Sequence, residues 1–246
     1  MAKNDKNKAE KILTAESFVE QLKTLQSDEE AKKTERYFKS DYAGNRVIGI
    51  RMKQVFDLAR EYSGMPLEEI DTLLQKPYYE ARMGAVSIMD FQARDKKTMT
   101  DIKKKLFDLY ISRHDRINNW DLVDRSSPWV VGGYLADKPR DILYHLAQSE
   151  NVWERRTAIV STWFFIRRGE VDDTFRIAEL LINDKHGAVQ KAVGSWLRTA
   201  GDKAPGKLIA FLDKHASVMS SVTLRYAIGK LDKKQQEFYK SIKTRG

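Results

Sequence analysis

The residues equipped for chemistry are concentrated in Asn118-Asn119-Trp120-Asp121-Leu122-Val123-Asp124-Arg125-Ser126-Ser127-Pro128, where two carboxylates and a large aromatic fall within five positions. On a helix Trp120 and Asp124 stand at i and i+4 on one face, and Asp121 points about 100° round the cylinder from Trp120. The other usual agents are missing. There is no cysteine, which excludes a thiolate nucleophile, a thiolate metal site and a disulfide framework. His114, His145, His186 and His215 lie about thirty to forty residues apart, never in an HxxxH pair, and read as packing or surface residues rather than metal ligands. No GxGxxG or GxxxxGK[ST] loop is present to cradle a nucleotide. Gly132-Gly133 reads as a tight contact between helices, and Ser126 and Ser127 lie outside any nucleophile-elbow pattern. Chemistry would therefore rest on a carboxylate, Asp121 or Asp124, with no metal or cofactor expected. Read locally, the same residues also make an ordinary helix start: Asn119 as cap, acids in the first turn for the dipole, Trp120 packed inside.

The elements that must position these groups are helical throughout. Thr14 caps a helix carrying Phe18, Val19, Leu22 and Leu25, and Ser27 with Glu30 has capping-box spacing for a second. After a turn over Asp41 to Arg46, a helix ends near Tyr62; Gly64 and Pro66 punctuate, and Pro77 begins a helix to Phe91. Further helices are expected over about 97–114, 139–149, 152–167, 171–183, 186–199, 205–214, 220–231 and 233–242. No stretch alternates with period two long enough for a strand. Residues 1–11 lack apolar periodicity and read as a disordered arm, leaving 12–246 as a single helical-repeat domain.

Four of these helices share a basic residue followed by small residues and an apolar run: Arg82-Met83-Gly84-Ala85, Arg156-Thr157-Ala158-Ile159, Lys191-Ala192-Val193-Gly194 and Arg225-Tyr226-Ala227-Ile228. The anchors are 74, 35 and 34 residues apart, and 74 is two steps of 37. The unmarked middle step falls at 119, inside the Trp120 segment. The pattern predicts an all-α, curved solenoid of HEAT-like antiparallel helix pairs whose concave side carries the repeated cations, Arg156 and Lys191 among them.

Composition sets the remaining bounds. The 44 Lys and Arg outnumber 35 Asp and Glu, for a net charge of +9. That excess suits a polyanion such as nucleic acid, although charge also serves solubility. No apolar run approaches the roughly 20 residues of a membrane span and no secretory signal is evident, so an intracellular, cytoplasmic protein is expected.

In order along the chain, Asn119-Trp120-Asp121-Leu122-Val123-Asp124, Trp153 to Ile159, Gln190-Lys191-Ala192-Val193-Gly194 and Thr223 to Ile228 resemble the AlkD-type DNA alkylation-repair glycosylases. The likeness runs from about Tyr37 to Leu231. It implies a HEAT-like solenoid that acts as a monomer, wraps duplex DNA and excises cationic N3- and N7-alkylated purines. It implies that Asp124 is the catalytic carboxylate and Trp120 an aromatic wall beside the deoxyribose of the lesion. Tyr37 would lie across the cleft and Arg156 would hold a backbone phosphate. Lys191, Trp196, Arg198 and Arg225 complete the DNA contacts this likeness suggests. The alternative is a non-catalytic HEAT-like protein that binds damaged or branched DNA. The family usually reads Lys-Ala-Val-Gly-Trp, a hydrophobic residue, then Leu-Arg-Glu; here Ser195 takes the tryptophan place and Trp196 follows one residue later. One residue is about 100° of helix, so Trp196 does not simply replace that wall. Ser220-Ser221-Val222 likewise stands where the family has Pro-Arg-Thr, which removes a cation.

Overall fold

The computed structural model describes residues 13–37 and 46–244. Among them the chain is all-α, with no β-strand beyond an isolated bridge between Arg46 and Tyr78. The expected arm at 1–11 lies outside the described residues. The chain forms two compact units, Met1–Gln92 and Ala93–Gly246.

The first unit holds α1 (Ala15–Thr24), α2 (Asp28–Tyr37), α3 (Met52–Glu61), α4 (Leu67–Leu74) and most of α5 (Tyr79–Arg94). The cap expected at Thr14 forms as a reciprocal pair with Ser17, which satisfies two donors at the start of α1. Phe18 and Tyr62 meet edge to face at 5.1 Å in the core, where Gly84 leaves room for the Phe18 ring. The turn before α3 needs Gly49, whose φ of +90° and missing Cβ let its backbone approach Ser27. Buried Glu80 accepts from the Ile48 and Gly49 amides at 3.0 and 2.8 Å and holds that turn to α5.

The second unit continues with α6 (Thr100–Ser112), α7 (Trp120–Ser127), a π-helical turn (Pro128–Gly133) and α8 (Asp141–Ala147). Next come α9 (Val152–Ser161), α10 (Trp163–Arg167), α11 (Asp172–Leu180) and α12 (Gly187–Gly201). It ends with α13 (Pro205–His215), α14 (Ser221–Ala227) and α15 (Lys233–Thr244). An inner ladder runs α7, α9, α12, α14, each packed on the next. Among the flanking helices α8 packs on α9, α11 on α12 and α13 on α12, so the expected helix pairing is present.

Close packing of the ladder depends on glycine. A Cβ on Gly194 would lie 2.4 Å from the Thr223 carbonyl oxygen, and one on Gly132 would lie 2.3 Å from that of Ser161. The tight contact read from Gly132-Gly133 is thus between the π-helical turn and the end of α9. Gly194→Ala should lower stability by about 1–3 kcal/mol, because the obstructing atoms are backbone and cannot rotate away. Gly206, whose added Cβ would meet open space, is the control. There alanine should be neutral or stabilising by up to about 1 kcal/mol through helix propensity. Urea melts giving equal effects at the two sites would refute the packing account.

Candidate active site

Asn119 takes the N-cap position of α7 with extended backbone (φ −149°, ψ 149°), but its side chain makes no capping bond. Both polar atoms of that side chain are buried without a partner. The Leu122 amide is instead taken by Asp121 Oδ1 at 2.8 Å. The acid in the first turn thus serves the helix start, as the local reading expected, while the asparagine does not.

From this start α7 presents Trp120 and Asp124 one turn apart. Trp120 is 36% exposed, and the Asp124 side chain is 28% exposed. Leu122 and Val123, on the other side, are fully buried. Both site residues are therefore reachable from solvent on a helix whose opposite face is locked into the core.

Arg156, from the next ladder helix, completes the cluster. Its Nε donates to Asp124 Oδ1 at 3.0 Å and its Nη2 to Oδ2 at 2.7 Å, a two-pronged fork on the carboxylate. Its Nη1 donates to the Ala188 carbonyl at the start of α12, so one guanidinium ties three ladder helices together. The same group lies 5.9 Å from the centre of the Trp120 ring, at the outer limit of a cation–π contact. Burial pushes the Asp124 carboxyl above its ordinary pKa, and the charge and hydrogen bonds of Arg156 pull it back only part of the way.

Beneath the carboxylate is a buried polar chain. The Tyr110 hydroxyl and His114 Nε2 each lie 3.1 Å from Thr157 Oγ1, and His114 Nδ1 lies 3.1 Å from the Ile111 carbonyl. One assignment satisfies all three contacts: Tyr110 donates to Thr157, Thr157 to Nε2, and Nδ1–H to Ile111. It needs a neutral imidazole, and burial holds the His114 pKa below its usual value. Burial raises that of Tyr110, with the Asp124 charge adding to the effect. His114 is thus a packing histidine, as its spacing in the sequence suggested.

The expected DNA contacts divide by burial. Lys191 and Arg225 are exposed, and Arg225 lies 5.7 Å from the Tyr226 ring. Arg198 is half-buried, its Nη1 alongside Gly229. Arg156 is only 5% exposed and its fork is spent on Asp124, a geometry unlike the phosphate contact expected of it. Arg82, at the same phase of the repeat, is 1% exposed. The four anchors are therefore not one stripe of surface cations: two are interior groups and two face solvent. Trp196 also departs from expectation. Its indole donates to the Val160 carbonyl at 3.0 Å and its ring packs on Ile166, Val171 and Ala200, so it is a packing residue here and not an open contact surface. Ser195, one step round α12, is half-buried. Tyr37 ends α2, and its side chain lies outside what is described.

Sequence reasoning passed over Arg156 as the partner of Asp124. The signal was there in the separation of 32 residues, close to one repeat step, which sets the two on facing ladder helices. No group of His, Asp and Glu able to hold a metal occurs among the described residues. Nor is any helix among them long and apolar enough to cross a membrane.

A family model described as DNA alkylation repair enzyme matches residues 18–231. Among solved structures, the chain is similar to a predicted DNA alkylation repair enzyme from Enterococcus faecalis, with a TM-score of 0.65 and 20% identity over 85% of this chain and 97% of that one. It is also similar to AlkD2 from Streptococcus mutans, with a TM-score of 0.49 and 17% identity over 94% and 98% of the two chains. No match was found among curated proteins.

Proposed function

Because the chain belongs to the DNA alkylation repair enzyme family, we propose that it is a DNA glycosylase that removes cationic N3- and N7-alkylated purines from duplex DNA. The observation that carries this reading is the solvent-accessible Asp124 carboxylate, held at both oxygens by Arg156 beside the face of Trp120.

Alkylation leaves the purine positively charged, so the base departs as a neutral molecule and needs no general acid. The charge to be stabilised is the oxocarbenium-like sugar that develops as the glycosidic bond breaks. A carboxylate already fixed in place does this without reorganising, which is worth roughly 3–4 kcal/mol per group. The Arg156 fork supplies that fixity and keeps the carboxyl ionised against the cost of its burial. The Trp120 π face adds attraction for the sugar cation. Lys191, Arg198 and Arg225 serve the DNA backbone in this reading, and one copy of the chain, with its repeats over 12–246, engages the duplex.

The test is release of N3-methyladenine or N7-methylguanine from methylated duplex DNA. Failure to release either base, by protein that binds DNA in a salt-sensitive way, would leave the non-catalytic DNA-binding reading. The inward-turned Trp196 favours that second reading, since it leaves no tryptophan in the expected second wall. Ser195→Trp should raise excision of simple methylpurines several-fold, by returning an aromatic face to a half-buried position. An unchanged single-turnover rate in a folded variant would mean that Ser195 does not face the substrate.

A further inference from the structure

A second feature of the Ala93–Gly246 unit takes no part in the Asp124 cluster. Where α5 and the π-helical turn end, a cavity of about 220 Å³ is lined by Arg94, Lys96, Lys103, Trp129, Tyr134 and Phe164, with Gly133 in its wall. Its aromatic part is built: Trp129 and Phe164 meet edge to face at 5.1 Å. A Cβ on Gly133 would lie 3.4 Å from the Phe164 ring and 3.8 Å from Trp129, so the missing side chain leaves room beside both rings. Its polar part is cationic. The Arg94 guanidinium stands 5.1 Å from the Trp129 ring, Arg167 lies 5.5 Å from the same ring, and none of the lining residues is acidic. Lys96 and Lys103 have no ion-pair partner among the described residues. The indole N–H of Trp129 has no acceptor among them either.

Lysines without an ion-pair partner beside aromatic rings are the chemistry that recognises a phosphate joined to a flat heteroaromatic ring. The volume falls below the roughly 300–1,000 Å³ of sites for larger ligands, so it suits one ring system and not a dinucleotide. We propose that this cavity binds a single nucleotide unit, its base against Trp129 and Phe164 and its phosphate on Lys96, Lys103 and Arg94. An unpaired nucleotide of a DNA strand and a free nucleoside monophosphate present the same chemistry. The first is the source that follows from the proposed function, and on that point alone the inference rests on it.

The test titrates the full chain with labelled short oligo(dT), with dTMP as competitor and undamaged duplex DNA in parallel. Gly133→Leu, which fills the cavity without changing charge, and the double variant Lys96→Glu, Lys103→Glu should each weaken oligo(dT) binding roughly tenfold or more. Gly133→Leu should leave duplex affinity within about twofold of wild type. Displacement by dTMP only at far higher concentration identifies a strand nucleotide as the ligand, and equal affinity identifies the free nucleotide; both support the site. Melting curves check folding, and the lysine variant, altered where side chains reach solvent, stands if the leucine variant unfolds. Oligo(dT) binding unchanged in both variants, or lost in the lysine variant but kept in folded Gly133→Leu, would overturn the proposal. Intact duplex binding and base release beside that result would leave the glycosylase reading standing, so the two fail separately.

Discussion

Asp124→Asn should cut single-turnover release of alkylated base about a hundredfold or more while leaving DNA binding intact. The substitution keeps shape but removes the charge that the sugar cation meets, together with one of the two acceptors that Arg156 grips, and a lost electrostatic group of this kind costs about 3 kcal/mol. Affinity for DNA should hold or rise slightly, because a carboxylate near phosphates repels them. The structure adds a cost in stability. One prong of the Arg156 fork would meet an NH2 donor instead of an acceptor, so a lower melting temperature should accompany the loss of rate. The assay therefore belongs well below the melting transition of the variant. Wild-type release should also fall on the acid side, as pH drops through a pKa raised above the ordinary carboxylate value. The sign for stability is opposite to that of a typical salt-bridged acid. With the folded pKa above the unfolded one, the folded state holds the proton more tightly, so this group's contribution weakens as pH rises between the two. Full release by a folded Asp124→Asn protein would remove the carboxylate from the mechanism, and Asp121 would be the next residue to vary.

Arg156→Ala should be the most destabilising change at the site and should also lower the rate at least about tenfold. Removing one partner of a buried pair typically costs 3–5 kcal/mol. Because the Asp124 side chain retains 28% exposure, about 2–3 kcal/mol is the better expectation here, a fall of roughly 5–10 °C in melting temperature. The rate falls because the carboxylate loses both donors that fix it. Arg156→Lys should recover part of the stability and little of the rate, since an ammonium cannot form the fork. A second readout separates positioning from phosphate binding. Each phosphate contact contributes about −0.9 to the slope of log K against log salt, so Lys191→Ala and Arg225→Ala should each flatten that slope by about one contact. Arg156→Ala should flatten it less. If Arg156→Ala melts normally and flattens the slope as much as Lys191→Ala, then Arg156 is a phosphate ligand after all.

Much of this was legible before any tertiary structure. The 3.6-residue period alone sets Trp120 and Asp124 on one face of α7, and the apolar Leu122 and Val123 between them imply which side is buried. Thr14 and Ser17 carry a helix start in their own side chains, and glycines at 132 and 194 mark where helices approach most closely. All of these depend on interactions within a few residues, or on the absence of a Cβ, and such information is local. Repeat phase is local too, but it fixes only the direction of a side chain from its own helix. Arg82, Arg156, Lys191 and Arg225 share that phase, yet two are buried and two exposed, because the neighbouring helices decide what each one meets. Arg156 turns inward because Asp124 on α7 and the Ala188 carbonyl at the head of α12 both come within reach of its guanidinium. Trp196 turns inward because the Val160 carbonyl and an apolar cluster from α10 to α12 accept it. The hydrogen-bond partners lie about a repeat away in sequence, 32 residues for Arg156 and 36 for Trp196. Only packing of the ladder brings them within hydrogen-bonding distance, so the choice between surface cation and carboxylate clamp belongs to the tertiary structure.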